Sequence, residues 1–440
     1  MTPLQPPWKL SPPKTYILQN ATIICPLTSR LIPHQTLKLS HGRITSITPY
    51  EEDYDLVSHP HEITLDLTGR YISPGLIDSH VHICAVPGPP TLSDLFNLPA
   101  DVGKLQEPYL LRQMLQRGFT SVRDCGGATL TLKEGVESGL IRGPRLFLAG
   151  KALSQTGGHG DTRGAHDVST CCSSLQLARR VDGVASCLHG AREELRRGAS
   201  FLKIMSGGGV ASPTDKLESI QFTPEEVRAI TTVAEQAGTY VTAHAYTPRT
   251  IRHAVENGVT GIEHGNLLDE ATARMMSERG VFLTPTLVTY SAMGMEEFEG
   301  YVPAGSQEKN EGVLEAGLKA LKIAHDAGVT MLFGTDLLGP MGMLQTKEFG
   351  LRRRVLSSSE ILKHATVNPA KRLGMESELG QVREGFVADL LILNANPLDD
   401  IEFLDRPEKH LLAVIKDGRV EFSQWKELRE DVVEAKLFIE

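Results

Sequence analysis

The stretch GLIDSHVHI, residues 75–83, decides how the rest of the chain is read. His80 and His82 stand two apart in an apolar run. In a strand, residues i and i+2 share a face. Two imidazoles on one face of a buried strand are costly unless something uses them.

Working outward, strand and helix signals alternate from about 71 to 377. The strand candidates are LIDSHVHI, FTSVRDCG, RLFLAG, SFLKIMSG, YVTAHAY, TGIEHG, VFLTPTL and TMLFGTD. Helical stretches separate them. In FTPEEVRAITTVAEQAG, Thr223 caps, Pro224 takes the first helical position, Glu226 completes a capping box and Gly238 ends the helix. Residues 155–186 fit this alternation least well and read as a long loop after the third strand, with the next helix near 186–197. Strands that each lead to a helix predict an α/β chain, a (β/α)8 TIM barrel. Residues 15–70 and 378–440 carry alternating, turn-rich strands instead. They predict a small β-sandwich built from both chain ends, preceded by a flexible N-terminal segment, 1–14.

The chain has 440 residues, 40% hydrophobic and 22% charged, with a formal net charge of -9. That is an ordinary globular composition, and its acidity speaks against a nucleic-acid partner. No apolar run reaches the roughly 18–20 residues that span a bilayer. The Pro-rich start lacks the apolar stretch of a secretion signal. The six cysteines (25, 84, 125, 171, 172 and 187) show no CxxC spacing and read as reduced, mostly buried thiols of a cytoplasmic protein.

Chemistry in such a barrel sits at the C-terminal ends of the strands. Collected there are His80 and His82 (first strand), Lys203 (fourth), His244 (fifth), His264 (sixth) and Asp336 (eighth). Any one has an ordinary explanation: a hydrogen-bonded core histidine, a snorkelling lysine, a helix-capping aspartate. All six at the catalytic end together point to metal. Four neutral imidazoles and a carboxylate suit zinc, or manganese. His80, His82 and Asp336 could serve one ion, and His244 and His264 a second. Something anionic must then bridge the pair. A lysine carbamylated by carbon dioxide, an anion with two oxygens, would do so.

The motifs PGLIDSHVH, FLKIMSGG, TAHAY, GIEHG and FGTD, with the ends GRITSI and GQVREGFVADLLIL, resemble the amidohydrolase superfamily over about residues 15–425. The order His-x-His, Lys, His, His, Asp is similar to its binuclear branch. That resemblance implies two divalent ions, most simply Zn2+, and N6-carboxylysine at Lys203. ALSQTGGHGD (152–161) followed by FLKIMSGGGV resembles the imidazolonepropionase-related, prolidase-like group. That group includes Xaa-Pro and Xaa-Arg/Lys dipeptidases and a fungal ochratoxin-hydrolysing amidase. The implied activity is hydrolysis of a small-molecule amide: an N-acyl amino acid, a dipeptide or an ochratoxin-like aryl amide.

Asp336 is expected to shuttle the proton, and His159 to contact the carbonyl or oxyanion. Tyr246 stands where relatives often have a second histidine that holds the substrate carboxylate. Arg123 and Asp124 are expected either to reach substrate or to brace the barrel, and Asp78 to orient a ligand histidine from behind. LLGPMGML, after Asp336, is expected to line a hydrophobic pocket or to pack as loop. Relatives of this kind are commonly homo-oligomeric. Three other readings compete. A ring-opening hydrolase or deaminase of the imidazolonepropionase type generally lacks the strand-four lysine. An inactive scaffold would usually have lost a ligand, and a purely structural metal site is usually rich in cysteine.

Overall fold

The computed structural model describes residues 8–10, 12–52, 62–164, 166–167, 177–212 and 215–431. Most of the 1–14 segment, Cys171, Cys172 and the tail beyond 431 lie outside the described residues, as does part of the 155–186 stretch. Among the described residues Cys25 is half-buried and Cys84, Cys125 and Cys187 are buried, all as free thiols. No described helix is long and apolar enough to cross a membrane.

Both ends of the chain meet in one eight-stranded sheet. Tyr71–Pro74 runs antiparallel to Leu390–Leu393, with Ile72 opposite Ile392. The long strand Thr15–Cys25 changes register between Leu18 and Ile23. Its first half therefore pairs with Glu62–Asp66 and its second with Tyr71–Pro74. Alternate residues (Leu18, Leu37, Ile72, Leu390, Ile392, Ile415) point to a common core, as the period of two requires.

The middle of the chain forms parallel strands with helices between them. Leu76–Val81, Phe119–Asp124 and Arg145–Leu148 make one sheet. Ala178–Arg180, Ala152–Ser154, Leu202–Met205, Val241–Ala245, Gly261–His264 and Phe282–Thr284 make the other. Strands buried on both faces read as continuous apolar runs, and all six residues of Leu76–Val81 are buried. The Thr223–Glu226 capping box is present, and Gly238, at φ 70°, follows the helix end.

Two segments differ from their sequence reading. TMLFGTD, 330–336, is not a regular strand; only Met331 bridges Leu283. Its backbone is nevertheless bonded on both sides. Leu332 N donates to Leu283 O at 2.8 Å, Ser79 N to Phe333 O at 2.7 Å and Asp336 N to His80 O at 2.8 Å. The third strand is broken at Gly150, at φ 69°, into Arg145–Leu148 and Ala152–Ser154. Within the expected long loop, Ala178–Arg180 adds a short parallel strand beside Ala152–Ser154, and the helix begins at Val184. The strand's sequence, ARRV, is polar for an inner strand. Ala178 and Val181 are buried, while Arg179 pairs with Glu194 at 2.7 Å.

Candidate metal centre

The strand ends bring His80, His82, Lys203, His244, His264 and Asp336 around one cavity of about 60 Å³. Asp336 Oδ1 lies 3.4 Å from His80 Nε2 and 3.2 Å from His82 Nε2, and Oδ2 lies 3.9 Å from His264 Nδ1. Imidazole centroids are 4.9 Å apart for His80–His264 and 4.5 Å for His244–His264. His80, His264 and Asp336 each offer a ligand atom within 4.8 Å of the others. Two larger clefts, of about 520 and 780 Å³, are lined by none of these residues. Volume therefore does not mark the site, whereas donor chemistry does.

Each imidazole is anchored by one nitrogen. His80 Nδ1 donates to Glu263 Oε2 at 2.8 Å, His82 Nδ1 to Gly126 O at 2.9 Å, and His244 Nε2 to Gly208 O at 3.0 Å. A carboxylate and a carbonyl only accept, so those nitrogens carry the protons. Their opposite nitrogens (Nε2, Nε2 and Nδ1) are bare in the neutral rings, the state that binds a cation. His264 Nδ1 meets the Thr286 hydroxyl at 2.8 Å. Burial pushes His244 and His264 well below the usual imidazole range. Burial works against ionising Asp336, but His80 and His82, when protonated at Nε2 as well as Nδ1, hold it well below the usual carboxylate range by charge and hydrogen bonding. Lys203 is 1% exposed among the four histidines. No acceptor among the described residues bonds its Nζ.

His264 and Asp336 have positive φ, 72° and 52°. Aspartate and histidine tolerate this region better than most residues, yet each such position costs about 1–3 kcal/mol. The Asp336 N to His80 O bond holds one of them in place.

The supporting residues depart in part from expectation. Asp78 does not touch an imidazole. It accepts from the His80 backbone at 3.1 Å, Thr335 Oγ1 at 2.6 Å and Gln345 Nε2 at 2.9 Å, so it ties the His80 backbone to the side chains of Thr335 and Gln345. Glu263 orients the His80 ring instead. Sequence reading passed over it, although it stands directly before His264 in GIEHG. Arg123 is fully buried and does not line the cavity. It gives Nε to Ser79 O and Nη2 to Glu263 Oε1, both at 2.6 Å, and lies against Phe201 and Phe282. That geometry favours the brace over a substrate contact. Asp124 accepts from Ile83 N, Gly126 N and Ala128 N, fixing the turn that anchors His82.

His159 and Tyr246 do face the cavity. The His159 ring stacks on His244 with centroids 4.1 Å apart. Tyr246 OH meets Tyr290 OH at 2.7 Å. Phe96, Leu177, Met205, Val210, Met293 and Leu338 form an apolar wall. Of LLGPMGML, Leu338 reaches the cavity, Met341 is core and Met343 is exposed.

Residues 71–420 match the amidohydrolase family model. An ochratoxinase from Aspergillus niger is 33% identical over 322 residues, which span 70% of this chain and 66% of that one. The crystal structure of A. niger ochratoxinase has a TM-score of 0.79 at 26% identity, covering 93% of this chain and 96% of that chain. A prolidase crystallised with N-methylphosphonate-L-proline has a TM-score of 0.88 at 41% identity, covering 93% and 100%. A Xaa-Pro dipeptidase with bound methionine has a TM-score of 0.81 at 26% identity, covering 92% and 98%. With its fold, its histidine-lined cavity and these likenesses in agreement, the chain belongs to the amidohydrolase family, in its prolidase- and ochratoxinase-like group.

Proposed function

We propose that the protein is a metal-dependent amidase releasing an amino acid from an N-acyl amino acid, a dipeptide or an ochratoxin-like aryl amide. The observation that carries this is the set of anchored imidazoles turning bare nitrogens toward Asp336 and Lys203. The donor set suits two divalent ions, zinc or manganese. His80, His82 and Asp336 would hold one, His244 and His264 the other, with Lys203 as N6-carboxylysine between them. When bound, the ions would lower the pKa of water and polarise a carbonyl. The likeness to a prolidase holding a proline phosphonate and to an ochratoxinase supports an amino acid on the amine side.

Asp336 takes a proton from the attacking water and returns it to the leaving amine, as general base and then general acid. His159 meets the reacting amide. Tyr246, braced by Tyr290, donates to the carboxylate of the amine side. The apolar wall excludes water and takes a hydrophobic side chain. We read the parallel strands together with 330–336 as a closed (β/α)8 barrel spanning 71–377. The end-built sheet (15–70 and 378–440) is read as a small β-sandwich.

The test is a mass-spectrometric hydrolysis screen, with and without chelator, over dipeptides, N-acyl and aryl amides of amino acids, and cyclic ureides and amidines. Chelator-sensitive release of an amino acid is expected. Turnover confined to the cyclic compounds would overturn the amidase reading.

A further inference from the structure

The His159 ring is held from behind. Its Nδ1 lies 2.9 Å from the Ser212 hydroxyl. That hydroxyl also contacts a carboxylate oxygen of Asp215 and, at 3.1 Å, the carbonyl oxygen of Gly209. An ionised carboxylate and a carbonyl can only accept. The single proton of Ser212 is thus committed to one of them, and its oxygen is left to accept from His159. In the neutral ring the proton then sits on Nδ1 and the lone pair on Nε2.

Asp215 is itself buried and held from other sides. Gln221 Nε2 donates to it at 2.8 Å, and the Lys309 ammonium stands 3.4 Å away. Gln221 uses its other end to accept from the His159 backbone at 2.9 Å. Lys309 also donates to Gly209 O at 3.1 Å and Ser212 O at 2.8 Å. Ring and backbone of His159 therefore both trace to one carboxylate. The ring is sandwiched as well: His244 stacks on it, and a Cβ at Gly209 would lie 2.0 Å from its Cε1.

We propose that Asp215, acting through Ser212, is a positioning residue that locks His159 in the Nδ1–H tautomer, so that Nε2 meets the substrate as a hydrogen-bond acceptor. This revises the carbonyl or oxyanion contact expected from sequence, because the neutral ring has no proton to offer a carbonyl oxygen; it accepts from a substrate N–H or O–H. What Nε2 touches rests on the proposed reaction, whereas the tautomer does not.

The experiment is a long-range 1H–15N correlation spectrum of the full chain, zinc-loaded and labelled with 15N-histidine, with His159 assigned by its loss in His159→Gln. Protonated Nδ1 and bare Nε2 are expected in the wild type and in Ser212→Thr. Ser212→Ala and Asp215→Asn should lose that pattern. On the best amide those two variants should lose roughly 10²-fold in kcat, with KM little changed and metal content intact. Wild-type His159 protonated on Nε2 would overturn the proposal, as would an unchanged tautomer in Ser212→Ala. Should Asp215→Asn fail to fold, the Ser212 pair decides alone. A chain that cleaves no amide would sink the proposed reaction and leave the tautomer to the spectrum.

Discussion

Removing the guanidinium of Arg123 tests whether the metal centre depends on a charge network behind it. Arg123 and Glu263 are both fully buried, 2.6 Å apart, and Glu263 also anchors the His80 ring. Arg123→Met would leave Glu263 without its counter-charge and Ser79 O without its Arg123 donor. Breaking one half of a buried pair costs about 3–5 kcal/mol. Burial would then push Glu263 toward its protonated form. A protonated carboxyl can donate to His80 Nδ1, which would move the imidazole proton to Nε2, the nitrogen facing Asp336. Ion affinity should therefore fall about 10–100-fold. The assay is metal retention against a graded chelator series, beside denaturant unfolding of the chelated protein. Glu263→Gln alone strands a buried cation and should cost a similar amount. The double variant strands neither charge, so its loss should undercut the sum of the singles by about 2 kcal/mol or more. Additivity within about 0.5 kcal/mol, with unchanged metal retention, would refute the coupling.

Other outcomes follow from single contacts. Asp336→Asn should keep at least one ion yet lose most turnover, and near-wild-type turnover by mass spectrometry would remove it from the proton shuttle. Lys203→Ala should lose metal, and wild-type protein stripped and reloaded without bicarbonate should regain less activity than with it; two ions at full activity in the variant would exclude the bridge. Gly209→Ala should drive the His159 ring off His244 and lower kcat without unfolding the chain; an unchanged His159 ring in a crystal structure would contradict this. Burial, then Asp124, raises Glu107 from 4.5 to about 7. The folded state holds that proton more tightly, so the contribution is present at low pH and fades as pH rises between those values. Glu107→Gln should therefore gain stability at pH 8 and flatten the profile, and a parallel-shifted profile would show that Glu107 does not titrate there.

The six polar residues were legible because each interrupts an apolar, strand-like run of sequence, a pattern that core packing rarely produces. Glu263 was missed because it looked like the polar neighbour of a better candidate, and its partners Arg123 and His80 are more than 100 residues away in sequence. Asp78 was expected to orient a histidine ring and instead accepts from the His80 backbone, because spacing cannot tell a bond to a ring from a bond to a backbone amide. The segment 330–336 carries strand-like side chains and yet lacks a regular ladder, since both of its neighbours claim its backbone unevenly. The 178–180 strand was hidden because the charge of Arg179 is met by Glu194, which only the fold brings near.

The left-handed backbone at His264 and Asp336 bears on how this molecule would answer selection for heat resistance. Glycine at either position would relieve backbone strain worth about 1 kcal/mol or more. A screen that rewards melting temperature alone would therefore tend to enrich such replacements, discarding donors that the cavity needs. Screens for durability and for turnover would pull these two positions in opposite directions, so a thermostable descendant is better sought in the end-built sheet, where Asn20, Ser29, His34 and His41 hold the same left-handed conformation away from the cavity.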